Sequence, residues 1–386
     1  MKIIYFTTAS SKEDYISFSS AWDFSLNTSI QKLHNRLIRT LAMTHEVEVV
    51  SIRPFSRKYC KLKKLEAETK QEGKITWNYL EIKRHKLARY VSAKRQCKKL
   101  LSKMNLKDSI ILTDTLNPNV LKNSTQLARK YGLPIIGVCN NTPSGIHDTG
   151  RSYTTYLLSQ ATDLSGYISL TPGLNELFNK GNRANISFEG ILDDRYEESD
   201  YSFNKFIYYD GSLDEKYGVY NLIKAFKKIN DPSINLVISG YHINNALMQK
   251  AIDGCPNIHN LGMIHNDQVL SLANKSLINV NPRPYSEDFD RYMIPDNLVD
   301  CLGSKSITVS VRNRHFKKYF EDDVIWLDSN DVDDLTNGLK EALSLSKTNR
   351  EIMIKKANTE AEKLYSMNTI NRRMVLFLKQ FLKQKD

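Results

Sequence analysis

The sequence predicts an α/β protein of two doubly wound, Rossmann-like domains facing a cleft, with a C-terminal helix crossing back to the first domain. Three observations carry this. The chain has 386 residues, more than the ~250–300 at which one core stops growing, so two domains of roughly two hundred residues each are expected. Short apolar runs alternate with helical-period segments throughout, the pattern of βα units on a mostly parallel sheet. Between Asp193 and Asn204 the stretch DDRYEESDYSFN is polar, acidic and without periodicity, and it separates two such series. Residues 1–193 are therefore read as the first domain, 194–204 as a linker, and 205–386 as the second domain with its crossing helix.

In chain order, Ile3 to Phe6 reads as a strand, Ile30 to Ala42 as a helix, and Val47 to Ile52 as a second strand closed by Pro54. Met1-Lys2-Ile3-Ile4-Tyr5-Phe6 turns polar at Thr7, too soon for the apolar region of a secretory signal, so it fits a buried first strand. The unit recurs as Ser109 to Thr113, Val120 to Lys130 and Leu133 to Cys139, with Gly166 to Leu170 and Ile186 to Phe188 as closing strands. After the linker the strands are Phe206 to Tyr209, Asn235 to Ser239, Leu277 to Val280 and Ile307 to Val309. The helices between them are Val219 to Lys228, Ala246 to Ile252 and Asn297 to Leu302. Arg350 to Leu382 is helical, interrupted around Tyr365 to Thr369.

Composition excludes several classes. With 41% apolar and 25% charged residues the chain is globular, and no run approaches the ~20 apolar residues that span a bilayer. Five widely spaced cysteines without a CxxC pair argue against a disulfide framework or a zinc site and fit a reducing cytosol. The formal charge of +12 is uneven: Arg53 to Lys103 holds seventeen Lys or Arg against four Glu, a local excess larger than that of the whole chain. Such a patch suits nucleic acid, an anionic lipid surface or an acidic substrate, or is simply a solvated helix face. No nucleic-acid module accompanies it, so nucleic acid is not expected.

Two stretches carry the chemistry. In Phe206-Ile-Tyr-Tyr-Asp-Gly211-Ser212-Leu213-Asp-Glu-Lys216-Tyr217-Gly218-Val219 a strand ends in a turn bounded by two glycines, and a helix follows at once. Such a turn offers backbone N–H groups and a positive helix end to a diphosphate, or it is only a turn. In the second stretch, Ile278-Asn-Val-Asn281-Pro282-Arg283-Pro284 leads to Tyr292-Met-Ile294-Pro295-Asp296-Asn297-Leu298-Val-Asp300. Here Pro295 opens a helix and Asp300 projects from it one turn on. A carboxylate there can accept both hydroxyls of a ribose; taken alone it can equally cap the helix or form an ion pair.

Together these stretches resemble the retaining GT-B glycosyltransferases of family four (group 1), and most closely the subset that makes surface polysaccharides. That subset reads roughly GxLxEKYGVxxLIxAF, INPRP and YSFPSKxxEYMxSGTPV; this chain reads GSLDEKYGVYNLIKAF, NVNPRP and YMIPDNLVDCLGSKSITV in the same order. The resemblance implies a GT-B fold and a cytoplasmic enzyme, peripheral on the inner face of the plasma membrane. Such an enzyme moves a hexose, with retention, from a nucleotide-sugar donor to a lipid-linked or surface-glycan acceptor. It places Gly211, Ser212, Lys216, Gly218, Arg283, Pro295, Asn297 and Asp300 at the donor site, with Asp300 where the family has its ribose-binding glutamate. The nucleotide-sugar is a co-substrate, and neither a metal nor another cofactor is expected. Ser212 and Tyr217 stand where the family often has Arg and Lys, and Asp296-Asn297 where it has Ser-Lys. A diphosphate carries about two negative charges, so these losses matter. Lys216, Arg283, Arg291 and Lys305 are the cations at hand to compensate; the alternative is a catalytically silent GT-B subunit that binds a partner transferase or glycan.

In the first domain the resemblance places Asn27, Asn140 and Asn141 on the acceptor side, and Asn141 replaces an acid of the family, so no catalytic residue is assigned. Related enzymes dock on anionic lipid through this domain. Accordingly His85 to Met104 is read as an amphipathic helix, with Leu87, Tyr90, Val91, Cys97, Leu101 and Met104 near one face and basic residues around it.

Overall fold

The structure, a computed structural model, describes residues 1–19, 28–55, 64–143, 151–193, 198–241, 245–295 and 297–382. It forms two compact units: Met1–Ile191 with Arg291–Met293 and Met367–Asp386, and Leu192–Asp290 with Ile294–Ser366.

The first unit runs β1 (Lys2–Thr7), α1 (Lys12–Ser19), α2 (Thr28–Ala42), β2 (Val47–Ser51), β3 (Glu68–Glu72), β4 (Ile75–Tyr79) and α3 (Lys86–Leu101). It continues with β5 (Ser109–Asp114), α4 (Pro118–Tyr131), β6 (Ile135–Cys139), α5 (Arg151–Ala161), β7 (Gly166–Ser169), α6 (Pro172–Phe178) and β8 (Ala184–Ser187). The strands form one sheet in the order β3-β4-β2-β1-β5-β6-β7-β8, parallel except where β3 meets β4. β1 is apolar on both faces because both are covered. Ile4 and Phe6 face a core that includes Ala93 and Cys97 of α3 and Val120 and Leu127 of α4. Ile3 and Tyr5 face one built with Leu37, Ile38 and Leu41 of α2. Local chemistry sets the ends of α4: the Asn117 side chain accepts from the N–H groups of Asn119 and Val120, Pro118 opens the first turn, and Gly132 closes the helix in the left-handed region.

The expected helix at His85 to Met104 is present as α3, and ahead of it the basic stretch holds two strands that periodicity did not reveal. β3 and β4 form an antiparallel hairpin on the sheet edge, turning at Gly73 with φ +57°. Ile75, Trp77 and Tyr79 of β4 are buried while β3 is largely exposed and charged. In α3, Ala93, Cys97 and Leu101 make the buried stripe, one residue every four, with Lys94, Arg95, Lys98 and Lys99 exposed. Val91, expected on the apolar face, is 63% exposed instead, because its position falls a quarter-turn or more from that stripe.

The second unit comprises β9 (Phe206–Asp210), α7 (Val219–Ile229), β10 (Asn235–Ser239), α8 (Asn245–Ile252), β11 (Ile258–Asn260), α9 (Asn266–Lys275) and β12 (Ile278–Asn281). Then follow α10 (Glu287–Tyr292, of which Arg291 and Tyr292 belong to the first unit), α11 (Leu298–Leu302), β13 (Ile307–Val311), α12 (Arg314–Lys317), β14 (Ile325–Leu327), α13 (Val332–Ser344) and α14 (Lys347–Tyr365). Its strands are all parallel, in the order β11-β10-β9-β12-β13-β14. Counted within the unit this is 3-2-1-4-5-6, the order of dinucleotide-binding folds, in which the chain reverses direction between the first and fourth strands. The long C-terminal helix breaks at Ser366, and its last part, α15 (Met367–Lys379), packs in the first unit: Ile370, Met374 and Leu378 join the core on the α2 side. Among the described residues no helix is long and apolar enough to cross a membrane, and no group of three or more His, Cys, Asp or Glu is placed to hold a metal ion.

Candidate functional site

The reversal point of the second sheet lies between β9 and β12, and both sequence motifs fall at its carboxyl edge, where ligands bind in open α/β sheets. After β9, the Gly211 N–H donates to the Ser239 carbonyl at 3.1 Å and the Leu213 N–H to the Tyr241 carbonyl at 2.8 Å. A side chain at Gly240, φ +141°, would lie 1.7 Å from the Gly211 carbonyl, so the loops after β9 and β10 interlock only because that residue is glycine. Ser212 is half-buried, and its carbonyl accepts from the Tyr209 hydroxyl at 2.7 Å. A 3₁₀ turn, Glu215–Tyr217, then leads to Gly218 at φ +85°, where a Cβ would sit 2.1 Å from the Pro282 carbonyl. The glycine turn and the NPRP loop are thus pressed backbone to backbone. α7 starts directly at Gly218 with no side-chain cap, which leaves its first N–H groups to another acceptor.

This contact brings the cations together. The Arg283 guanidinium lies 3.5 Å from the Phe289 ring centroid and 4.8 Å from that of Tyr217, and the Lys216 ammonium lies 5.1 Å from the Tyr217 ring. Tyr217, where the family has a cation, therefore holds two of them by the attraction of a charge to an aromatic face. Burial pushes the Asp290 carboxyl up, while that carboxyl accepts from Asn313 Nδ2 and the Arg314 N–H, each at 3.0 Å, and so ties the helix that carries Phe289 to the segment after β13. Two other expected cations lie elsewhere. Arg291 belongs to the first unit, where its Nη2 is 2.7 Å from Glu176. Lys305 precedes β13 and so sits at the amino edge of the parallel sheet, opposite the turns.

Pro295 is buried ahead of α11, and Asn297 Nδ2 donates to the Asp210 carbonyl at 2.5 Å, tying the start of α11 to the end of β9. Asn297 thus acts first as a brace. Asp300, one turn into α11, is 5% exposed. Asp296 lies outside the described residues. Sequence reading missed Gly240, Phe289 and the Asp290–Asn313 brace; of these only Gly240, a glycine directly after a strand like Gly211, carried a signal.

In the first unit the reversal point lies between β1 and β5. Tyr5 of β1, His34 of α2, Asp114 of β5 and Asn140 after β6 are buried there together. The Tyr5 oxygen is 2.6 Å from His34 Nδ1; Asn140 Nδ2 and Asp114 Oδ2 are 3.4 and 3.7 Å from His34 Nε2. Burial lowers the His34 pKa against the opposing pull of Asp114, and raises that of Tyr5. Asn141 turns its Oδ1 to the Thr142 N–H at 2.7 Å; Asn27 lies outside the described residues. Cys97 and Cys139, pushed up to about 12 by burial, are no nucleophiles.

Residues 197–360 match the family described as Glycosyl transferases group 1, the stretch that contains both turns. No curated protein matches the chain in sequence. Solved structures match over its full length. One is a trehalose-6-phosphate structure from E. coli bound with UDP-2-fluoro glucose, with TM-score 0.66 and 11% identity, covering 98% of this chain and 99% of that one. Sucrose-phosphate synthase from Thermosynechococcus elongatus gives TM-score 0.65 and 12% identity over 100% of both chains. A UDP-forming α,α-trehalose-phosphate synthase from Burkholderia xenovorans, in complex with glucose-6-phosphate, gives 0.65 and 10%, covering 98% and 99%. The chain therefore has the two-domain GT-B fold and carries a glycosyl transferases group 1 domain. Residues 197–360 thus carry the likeness to a glycosyltransferase family, and the full-length likeness is one of fold.

Proposed function

We propose that the chain moves a sugar, with retention, from a nucleotide-sugar donor bound at the β9/β12 reversal point to a hydroxyl of a lipid-linked or surface-glycan acceptor. The observation that carries the donor half is the meeting of the glycine turn and the NPRP loop, which sets Lys216 and Arg283 around Tyr217 beside the uncapped start of α7. These groups supply the positive charge a diphosphate needs. Asp300 accepts the ribose hydroxyls, and Gly211, Ser212, Gly218, Pro295 and Asn297 shape and brace the pocket. Asn140 and Asn141, after β6, serve the acceptor side. The chemistry asks of the protein only that it position the reactants and stabilise charge on the departing diphosphate, whose oxygen assists the incoming hydroxyl. The exposed Lys94, Arg95, Lys98 and Lys99 of α3 support an anionic inner-leaflet surface, and hence a cytoplasmic, peripheral enzyme with a lipid-linked acceptor. The solved structures with bound UDP-2-fluoro glucose and glucose-6-phosphate support a nucleotide-sugar donor and a sugar acceptor.

The test is transfer itself. Purified protein, a sugar nucleotide and lipid-linked or glycan acceptors should release nucleoside diphosphate in step with product, and proton NMR should show the donor's anomeric configuration kept. An inverted product would rule the reading out. One observation favours a second reading: Asn297 is used as a brace and Ser212 offers no cation, so a silent subunit that binds a partner transferase or glycan remains the alternative. It predicts nucleotide binding without turnover at any acceptor.

A further inference from the structure

The first unit has a groove of about 410 Å³ between α4 and α5, floored by Leu133 and Ile135 at the start of β6, within the range of small-ligand clefts, ~300–1,000 Å³. Ser165, which also lines it, directly precedes β7, so the groove lies at the amino edge of the sheet, opposite the reversal point. Lys122, Gln126 and Arg129 form one stripe of α4, and Ser159, Gln160 and Asp163 come from α5 and the turn after it. Most of the polar groups are already engaged. Lys122 Nζ lies 4.8 Å from the Tyr90 ring centroid, and Arg129 Nη2 is 3.5 Å from Asp163 Oδ2. The Thr125 hydroxyl donates to the Leu121 carbonyl and that of Ser159 to the Tyr156 carbonyl, both at 2.8 Å, while the Ser165 oxygen accepts from the Ile135 N–H at 3.1 Å. The amides of Gln126 and Gln160, both half-buried, have no hydrogen-bond partner among the described residues.

We propose that this groove binds a neutral oligosaccharide, as a glycan site separate from the reversal point of its own sheet. An amide presents an N–H donor and a carbonyl acceptor side by side, and two of them suit neighbouring sugar hydroxyls, each of which both donates and accepts. A phosphate or sulfate only accepts, so it would leave both amide oxygens unmet. The cations that could draw such an anion are held by Tyr90 and Asp163, and the Asp163 carboxylate would repel it. Tyr156, four residues before Gln160 and so its neighbour on α5, is 39% exposed. Its ring gives the C–H face of a pyranose a flat surface to rest on. The site takes nothing from the donor half of the transferase reading: a glycan held here stays on the protein whether or not transfer follows.

Electrophoresis of the full chain in native gels cast with dextran, soluble starch or galactomannan tests the site. At least one of these polymers should retard the wild type, and the double variant Gln126→Ala/Gln160→Ala should weaken the apparent affinity by at least about fivefold, the worth of two hydrogen bonds. The response of Tm to sugar nucleotides should stay as in the wild type. Ser159→Trp, at an exposed position whose new ring fills the groove, should abolish the retardation and serves where the double variant fails to fold. No retardation by any of the three polymers, or retardation that either folded variant keeps in full, overturns the site. Heparin, run in the same way, meets the basic face of α3 and should retard wild type and variants alike; heparin retardation lost with the two amides would make the ligand anionic and overturn the neutral assignment. Retardation by a neutral polymer without a Tm response to any sugar nucleotide would strike the donor reading and leave this site standing.

Discussion

Arg283 was legible in the sequence as a donor-side cation, but what holds it was not. A guanidinium between Phe289 and Tyr217 loses little entropy on meeting phosphate, because the rings already fix its plane. Arg283→Ala should therefore weaken a nucleoside diphosphate by about 1.5–3 kcal/mol, the worth of a charge-assisted hydrogen bond, as read by calorimetry. Tyr217→Ala should produce part of that loss, since it frees the guanidinium without removing it. Asp300→Ala should cost about 1–3 kcal/mol in the same titration if its carboxylate accepts the ribose hydroxyls. A folded Asp300→Ala protein with wild-type affinity would remove that role. Asn297 shows the limit of residue-by-residue carry-over: its position matched a motif, yet its amide is committed to the Asp210 carbonyl. Only coordinates reveal such a commitment.

At the scale of elements, patterning predicted strands and helices well where burial was two-sided or strongly periodic, as in β1, α2, α4, β9 and α7. It failed at the β3/β4 hairpin, where charged residues hid the alternation of Ile75, Trp77 and Tyr79 and the turn at Gly73. The interlocked loops respond to a simple change. Gly218→Ala puts a methyl group 2.1 Å from the Pro282 carbonyl at a φ of +85°, so thermal unfolding should show a loss of about 1–3 kcal/mol. A loss of nucleotide affinity should accompany it, because the same contact sets Arg283. For α3 the expectation is electrostatic. Each exposed Lys or Arg near an anionic bilayer contributes about 1 kcal/mol, within a Debye length of ~8 Å. Charge reversal at Lys94, Arg95, Lys98 and Lys99 should abolish sedimentation with phosphatidylserine vesicles and leave nucleotide binding intact. Equal binding of wild type to neutral and anionic vesicles would return α3 to a solvated helix face. Arg53 and Arg89 are poorer contributors, since Arg53 stacks on Tyr79 and Arg89 on Phe55 within the unit.

For the molecule as a whole, length, alternating periodicity and the acidic stretch after Ile191 were enough to predict two α/β units. The strand orders, and with them the two reversal points, are tertiary facts that no local pattern encodes. The same is true of α15, which follows α14 in sequence but joins the core of the first unit. The central claim is that the second unit binds a sugar nucleotide at the β9/β12 reversal point, and one measurement tests it most directly: thermal unfolding with a panel of UDP-, GDP- and dTDP-sugars. A ligand bound only by the folded state adds about 2.7 kcal/mol at a hundred times its Kd. The account predicts that members of one nucleotide class raise Tm saturably, and that Asp300→Ala and Arg283→Ala each reduce the rise. No rise with any member of the panel, or a rise that both variants keep in full, would contradict it.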